Sequence, residues 1–196
     1  MKITMAFLIL CLLSTVSGCQ KSDKVYNVYF VPIGNAPTSE IDGLVAHYQQ
    51  KFGLKSTILP ALVSGPSEIN RNRHQLIAEN VLAFMRKRYF QYVKNDSSVL
   101  IGITSDDMYP LGQDWQFCFG WRQPSIRSAV VSTARMNLHY KGEPASEANE
   151  TSRLQKVVTK NIGIMYYNKL PSNNPHSVLF NGIVGLEELD QVTEDF

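Results

Sequence analysis

Residues 127–135 read RSAVVSTAR. Three apolar residues, Ala129, Val130 and Val131, sit between small polar ones, and an arginine closes each end. A β-branched run this short, bounded by polar residues, is too brief for a helix and is predicted as a strand. Working outward toward the C-terminus, a loop leads to a helix over residues 147–168. Leu154, Val157, Val158, Met165 and Tyr166 keep helical spacing along its core face. Residues 171–196 then read as loop with one short helical turn near Leu186. Toward the N-terminus, residues 116–120 read as a short edge strand and residues 99–104 (VLIGIT) as a buried one. Before them, residues 73–92 form the clearest helix, with Ile77, Val81, Phe84, Met85 and Tyr89 on one face. Residues 56–63 read as a strand that ends before Gly65-Pro66. Ser39 is the expected N-cap of a helix reaching Gly53, with Ile41, Leu44, Val45, Tyr48 and Phe52 turned inward. Residues 25–33 (VYNVYFVPI) open the domain as a buried strand. Alternating strands and helices predict one α/β domain, a mixed sheet packed by about three helices.

Residues 1–18 are expected to be a signal and no part of the fold. Lys2 supplies a positive start, residues 5–13 a short apolar core, and Val16-Ser17-Gly18 small residues before Cys19. That core is too short for the roughly 30 Å hydrocarbon layer, which takes about 20 residues. Val16-Ser17-Gly18-Cys19 resembles the lipobox of bacterial lipoproteins, in which the cysteine is acylated and becomes the new N-terminus. An ordinary cleaved signal with an incidental cysteine is the plainer alternative. The lipoprotein expectation places the chain in the bacterial cell envelope, held to a membrane by lipid on Cys19. Residues 19–24 would then be a polar tether and 25–196 the folded domain. Lysine and arginine number 19 against 17 acidic residues, a formal charge of +2. So even a balance gives no strong field, and no nucleic-acid partner is expected. Of three cysteines, Cys11 lies in the signal and Cys19 is the lipid site, leaving Cys118. One thiol cannot close an internal disulfide, so the fold must stand on its core.

Several segments together resemble the archaemetzincin family of zinc peptidases. They are Val31-Pro32-Ile33-Gly34, Ile101-Gly102-Ile103-Thr104 leading to Asp107-Met108-Tyr109, and Phe117-Cys118-Phe119-Gly120. Val130-Val131-Ser132-Thr133-Ala134-Arg135, followed by a helix, and Glu187-Glu188-Leu189-Asp190 complete the set, in order across nearly the whole domain. The resemblance implies a metzincin-like fold whose zinc motif, H-E-x-x-H-x-x-G-x-x-H, lies on the third helix. Histidines at i and i+4 reach one metal, and the glutamate between them takes a proton from zinc-bound water. With Gly163 setting the register, Lys160 stands for the first histidine, Asn161 for the glutamate, Ile164 for the second histidine and Leu170 for the third. Tyr167 falls at the glycine bend, which leaves the local path of the chain open. An ammonium repels Zn²⁺, aliphatic groups donate nothing, and an amide cannot accept the proton. The family's second, cysteine-rich zinc site would need ligands where Ser177-Val178-Leu179 stands, and no cysteine follows Cys118. No metal or other cofactor is therefore expected, and no catalytic residue is assigned.

Other candidates carry plainer readings. His176 and His139 are the histidines nearest the motif, and a lone loop histidine is the simpler account of His176; His74 is remote. Asp106 and Asp107 could hold Ca²⁺ or pair as acids, with capping as the alternative. Glu187, Glu188, Asp190, Glu194 and Asp195 read as a solvated acidic tail without the spacing of a calcium loop. Cys118 reads as an inert small hydrophobe, and no histidine is placed to activate it. Trp115, Phe119, Trp121, Tyr166 and Tyr167 are candidates for an aromatic peptide cleft, where an edge strand could take up an extended chain. Packing is the competing account of these aromatics. The functional expectation is an envelope-anchored, non-catalytic relative of the peptidases, with a peptide or protein partner in the old cleft. An active zinc peptidase with unconventional ligands and an accessory lipoprotein without a cleft function are the alternatives.

Overall fold

A computed structural model describes residues 26–65, 67–94, 97–138 and 146–196. The signal, the tether with Cys19, and His139 lie outside the described residues.

A five-stranded sheet forms the centre, in the order Ser56–Ile58, Val28–Ile33, Val99–Thr104, Ser128–Ser132 and Gly120–Gln123. Strand β1 (Val28–Ile33) and strand β5 (Val99–Thr104) are buried along their whole length and pair in parallel, Phe30 opposite Ile101. Their near-continuous apolar sequence is what a strand covered on both faces requires. Strand β8 (Ser128–Ser132) adds in parallel to β5, and β7 (Gly120–Gln123) adds antiparallel to β8 as the edge. The other edge is β2 (Ser56–Ile58), parallel to β1. Val28 and Phe30 face helices α1 (Thr38–Phe52) and α3 (Glu147–Met165), packed with Tyr48, Leu154, Val158 and Ile162. Tyr29, Val31 and Ile33 face α2 (Ala78–Tyr89), packed with Val81, Leu82 and Met85. The result is a three-layer α/β/α domain with a mixed sheet. Gly102 lets β5 pass under α2, because a Cβ there would stand 2.5 Å from Ile33 Cδ1 and 3.0 Å from Met85 Sδ.

The structure redraws several boundaries. The segment expected to begin the second helix at residue 73 instead makes a hairpin of β3 (Ile69–Asn70) and β4 (Gln75–Ile77). Asn70 Oδ1 accepts the N–H groups of Asn72 and Arg73, and His74 adopts φ 53°, which breaks any helix there. Strand β4 then pairs with β6 (Met108–Tyr109) in a second, three-stranded sheet that the sequence pattern had not indicated. Helix α1 starts one residue before Ser39, after Pro37, and has no side-chain cap. It does end at Gly53, at φ 64°, as expected. Pro60 follows β2 closely, and the chain rejoins β1 only by a bridge between Ile33 and Leu62. The edge strand lies after residues 116–119, not over them. Gln116 gives its carbonyl to Arg73 Nη2 and Gln75 Nε2, and Cys118 N–H bonds Met108 O, so this stretch runs beside β6. Strand β8 starts after Arg127, which sits at φ 52° behind a single 3₁₀ turn.

Helix α3 begins at Ser146, whose side chain accepts from Asn149 N–H, and ends at Met165. The bend beyond it falls at Asn168, φ 53°, with Lys169 N–H bonded to Gly163 O. Asparagine tolerates that left-handed turn, so Tyr167 does not have to make it. The final helix α4 (Leu186–Gln191) lies near the expected position. Two residues of the acidic run around it are tied to the body of the domain. Asp190 pairs with the buried Arg153 at 2.7 Å, and Asp195 pairs with Lys51 at 2.7 Å. Among the described residues no helix is long and apolar enough to cross a membrane.

Candidate functional site

A cleft of about 310 Å³ opens between the edge strand β7 with its lead-in segment and the face of α3. Trp115, Phe117, Cys118 and Phe119 form one wall, Val157, Lys160 and Asn161 the helical floor, and Ile183 and Val184 the far side. Gly120 permits this approach, since a Cβ there would lie 3.0 Å from Val157 Cγ1 and 3.5 Å from Asn161 Nδ2. Two residues along the strand, on the same face, Arg122 also borders the cleft.

Strand β7 is an open edge among the described residues. Its register pairs Trp121 with Val130, and Ser132 N–H bonds Phe119 O. Antiparallel alternation then directs the backbone groups of Gly120 and Arg122 away from β8, toward the outer edge.

Lys160 donates from Nζ to the carbonyl of Phe180, so its charge is held at the cleft and does not reach for solvent. Burial, and next the nearby Arg122 charge, lower its pKa to about 8. Burial likewise pulls Arg122 below the ordinary guanidinium range. Asn161, 2 % exposed, donates to Val157 O at 2.9 Å, while its Oδ1 is buried without a partner among the described residues. Burial, and then the charges of Glu79 and Asp107, push the Cys118 thiol up to about 12, leaving it neutral and poorly nucleophilic.

The positions singled out from sequence do not all converge. Lys160 and Asn161 reach the cleft, Ile164 is half-buried one helical turn beyond Lys160 and does not line it, and Leu170 is 83 % exposed beyond the bend. Trp115 and Phe119 line the cleft. Trp121 is turned to the other face of β7 and meets Trp115 edge-on at 6.2 Å. Tyr166 accepts from Asn27 Nδ2 at 2.9 Å, and Tyr167 packs against Tyr166 and Phe196, so these two belong to the end of α3. Asp107 is neither a cap alone nor half of an acid pair. Arg135 holds it with two nitrogens, and Gln75 Nε2 donates to it at 2.8 Å. His176 lies on an exposed loop. Arg122 was not singled out from the sequence; an arginine on a short polar strand carries no distinctive pattern.

Zinc takes nitrogen, sulfur or carboxylate donors. An ammonium already bonded to a carbonyl, a buried amide and two aliphatic side chains do not fit it. Among the described residues no group of three or more His, Cys, Asp and Glu is gathered to hold a metal ion.

No family model matches the chain. In sequence it is similar to archaemetzincin from Pyrococcus abyssi (strain GE5 / Orsay), 23 % identical over 147 residues, 71 % of this chain and 74 % of that protein. In structure it resembles the archaemetzincin of Archaeoglobus fulgidus, with a TM-score of 0.69 at 19 % identity, covering 87 % of this chain and 94 % of the other. A zinc-dependent peptidase from Methanocorpusculum labreanum (strain Z) aligns with a TM-score of 0.71 at 18 % identity, over 87 % and 95 % of the two chains. The chain therefore carries an archaemetzincin-like fold, built as a single α/β domain with mixed sheets.

Proposed function

We propose that this protein is a non-catalytic, archaemetzincin-like scaffold that binds an extended peptide or partner segment along β7, anchored in the bacterial envelope through lipid on Cys19. The observation that carries the reading is the floor of the cleft. Lys160 and Asn161 stand where the resemblance implies a zinc ligand and the general base, and both are engaged with backbone carbonyls. Beside them, the outward backbone of Gly120 and Arg122 leaves an edge on which a strand can be added. Function does not follow from scaffold, so the assignment rests on the site chemistry.

Metal analysis of the purified chain tests the non-catalytic half, with substoichiometric zinc expected after dialysis and no chelator-sensitive cleavage of an unstructured protein substrate. Stoichiometric zinc with cleavage that a chelator abolishes would refute it and restore the active-peptidase reading. Binding of extended peptides, lost on Gly120→Pro, tests the groove. Radiolabelled palmitate incorporation, abolished by Cys19→Ala, tests the anchor.

A further inference from the structure

Among the described residues, the wall and floor of the cleft carry Arg122 and Lys160 but no carboxylate. The two carboxylates whose charges reach Cys118 are engaged elsewhere: Asp107 by Arg135, and Glu79 by the Leu111 N–H at 2.9 Å. Lys156, one turn before Lys160, is turned away and donates to the carbonyls of Leu189 and Asp190. Two cations thus share one half-buried, aromatic-walled space with no compensating anion among the described residues, an arrangement that costs free energy until a negative group enters. Around them, Phe119, Val157 and Ile183 provide an apolar surface.

We propose that the cleft recognises a carboxylate on the bound peptide, held between Lys160 on α3 and Arg122 on β7, with an adjacent apolar side chain against Phe119, Val157 and Ile183. This inference rests on the peptide-binding reading above and names the chemistry that gives it selectivity. The carboxylate can come from a peptide C-terminus or from an acidic side chain. Arginine offers a planar fork and lysine a point charge, and together they satisfy both oxygens.

The experiment uses the full chain in nonionic detergent and fluorescence anisotropy with three labelled alanine–leucine peptides. One has a free C-terminal carboxylate, one a C-terminal amide, and one an amide with a single internal glutamate. At neutral pH one or both carboxylate peptides bind at least about ten-fold more tightly than the plain amide, and comparing the two identifies the source. The preference is lost in Lys160→Met and in Arg122→Met, each checked by circular dichroism. It also declines as pH rises through about 8, where Lys160 loses its proton; Cys118, pushed up to about 12, does not titrate there. Lys160→Arg keeps the preference and removes that decline. Equal binding of all three peptides, or a preference that survives both methionine variants, overturns the carboxylate inference and leaves the groove standing. Failure of every peptide to bind overturns both.

Discussion

Arg153 and Asp190 fasten the C-terminal segment to α3, and the two halves of this ion pair differ sharply in their surroundings. The Arg153 side chain is 1 % exposed and that of Asp190 46 %. Arg153 Nε and Nη2 each meet an Asp190 oxygen at 2.7 Å, and Nη1 donates to the carbonyls of Met136 and Leu138 at 2.6 Å. In Arg153→Met the Asp190 carboxylate, already 46 % exposed, keeps its access to water, as does the carbonyl of the exposed Leu138. Only the Met136 carbonyl is stranded in the core, at about 1–3 kcal/mol, partly offset by the buried methionine. In Asp190→Ala the dry guanidinium keeps its charge and loses its counter-ion. The expected cost is about 3 kcal/mol, the low end for a broken buried pair because Nη1 retains two carbonyls. Removing the more exposed partner is therefore the more damaging change. At about 2–4 °C of Tm per kcal/mol, Asp190→Ala lowers Tm by about 6–12 °C and Arg153→Met by less. Thermal and urea unfolding of both variants provide the measurement. An Arg153→Met loss exceeding that of Asp190→Ala would refute the reasoning from burial.

Gly102→Ala forces a methyl against Ile33 and Met85, and urea unfolding should show a loss of about 1–3 kcal/mol; an unchanged midpoint would mean the core yields there. Because the folded pKa of Lys160 is lowered from 10.5 to about 8, the unfolded chain binds the extra proton between those values. Wild-type stability should thus rise relative to Lys160→Met as pH climbs through that window, and a flat difference in urea midpoints would contradict the buried-amine geometry. Cys118, buried and with its thiol pushed up to about 12, should label with a thiol reagent slowly in the native chain and fast in urea. Rapid native labelling would show an exposed or activated sulfur.

What could be read along the chain follows from local rules. The unbroken apolar runs of β1 and β5 announce strands covered on both faces, and Gly53 and the spacing from Leu154 to Met165 mark helices α1 and α3. Segments whose conformation is set by distant partners were not legible. Residues 73–77 have helical periodicity, yet an asparagine turn and pairing with Met108–Tyr109 make them a hairpin. Gln116 to Phe119 have strand composition, yet Arg73, Gln75 and Met108 take their backbone groups. Likewise the acidic C-terminal run looks solvated until Arg153 and Lys51 meet it across more than thirty residues of chain.

The site divides in the same way. Which chemical groups stand on and just beyond α3 is legible in the chain alone, since Lys160, Asn161, Ile164 and Leu170 have the same donor properties in any conformation. Where those groups go depends on contacts between distant segments. Strand β7 brings Arg122 beside Lys160, the Phe180 carbonyl takes the ammonium, and the left-handed Asn168 carries Leu170 out to solvent. Charge and donor character are properties of a residue, but proximity, burial and an open strand edge are made by packing between segments far apart in the chain.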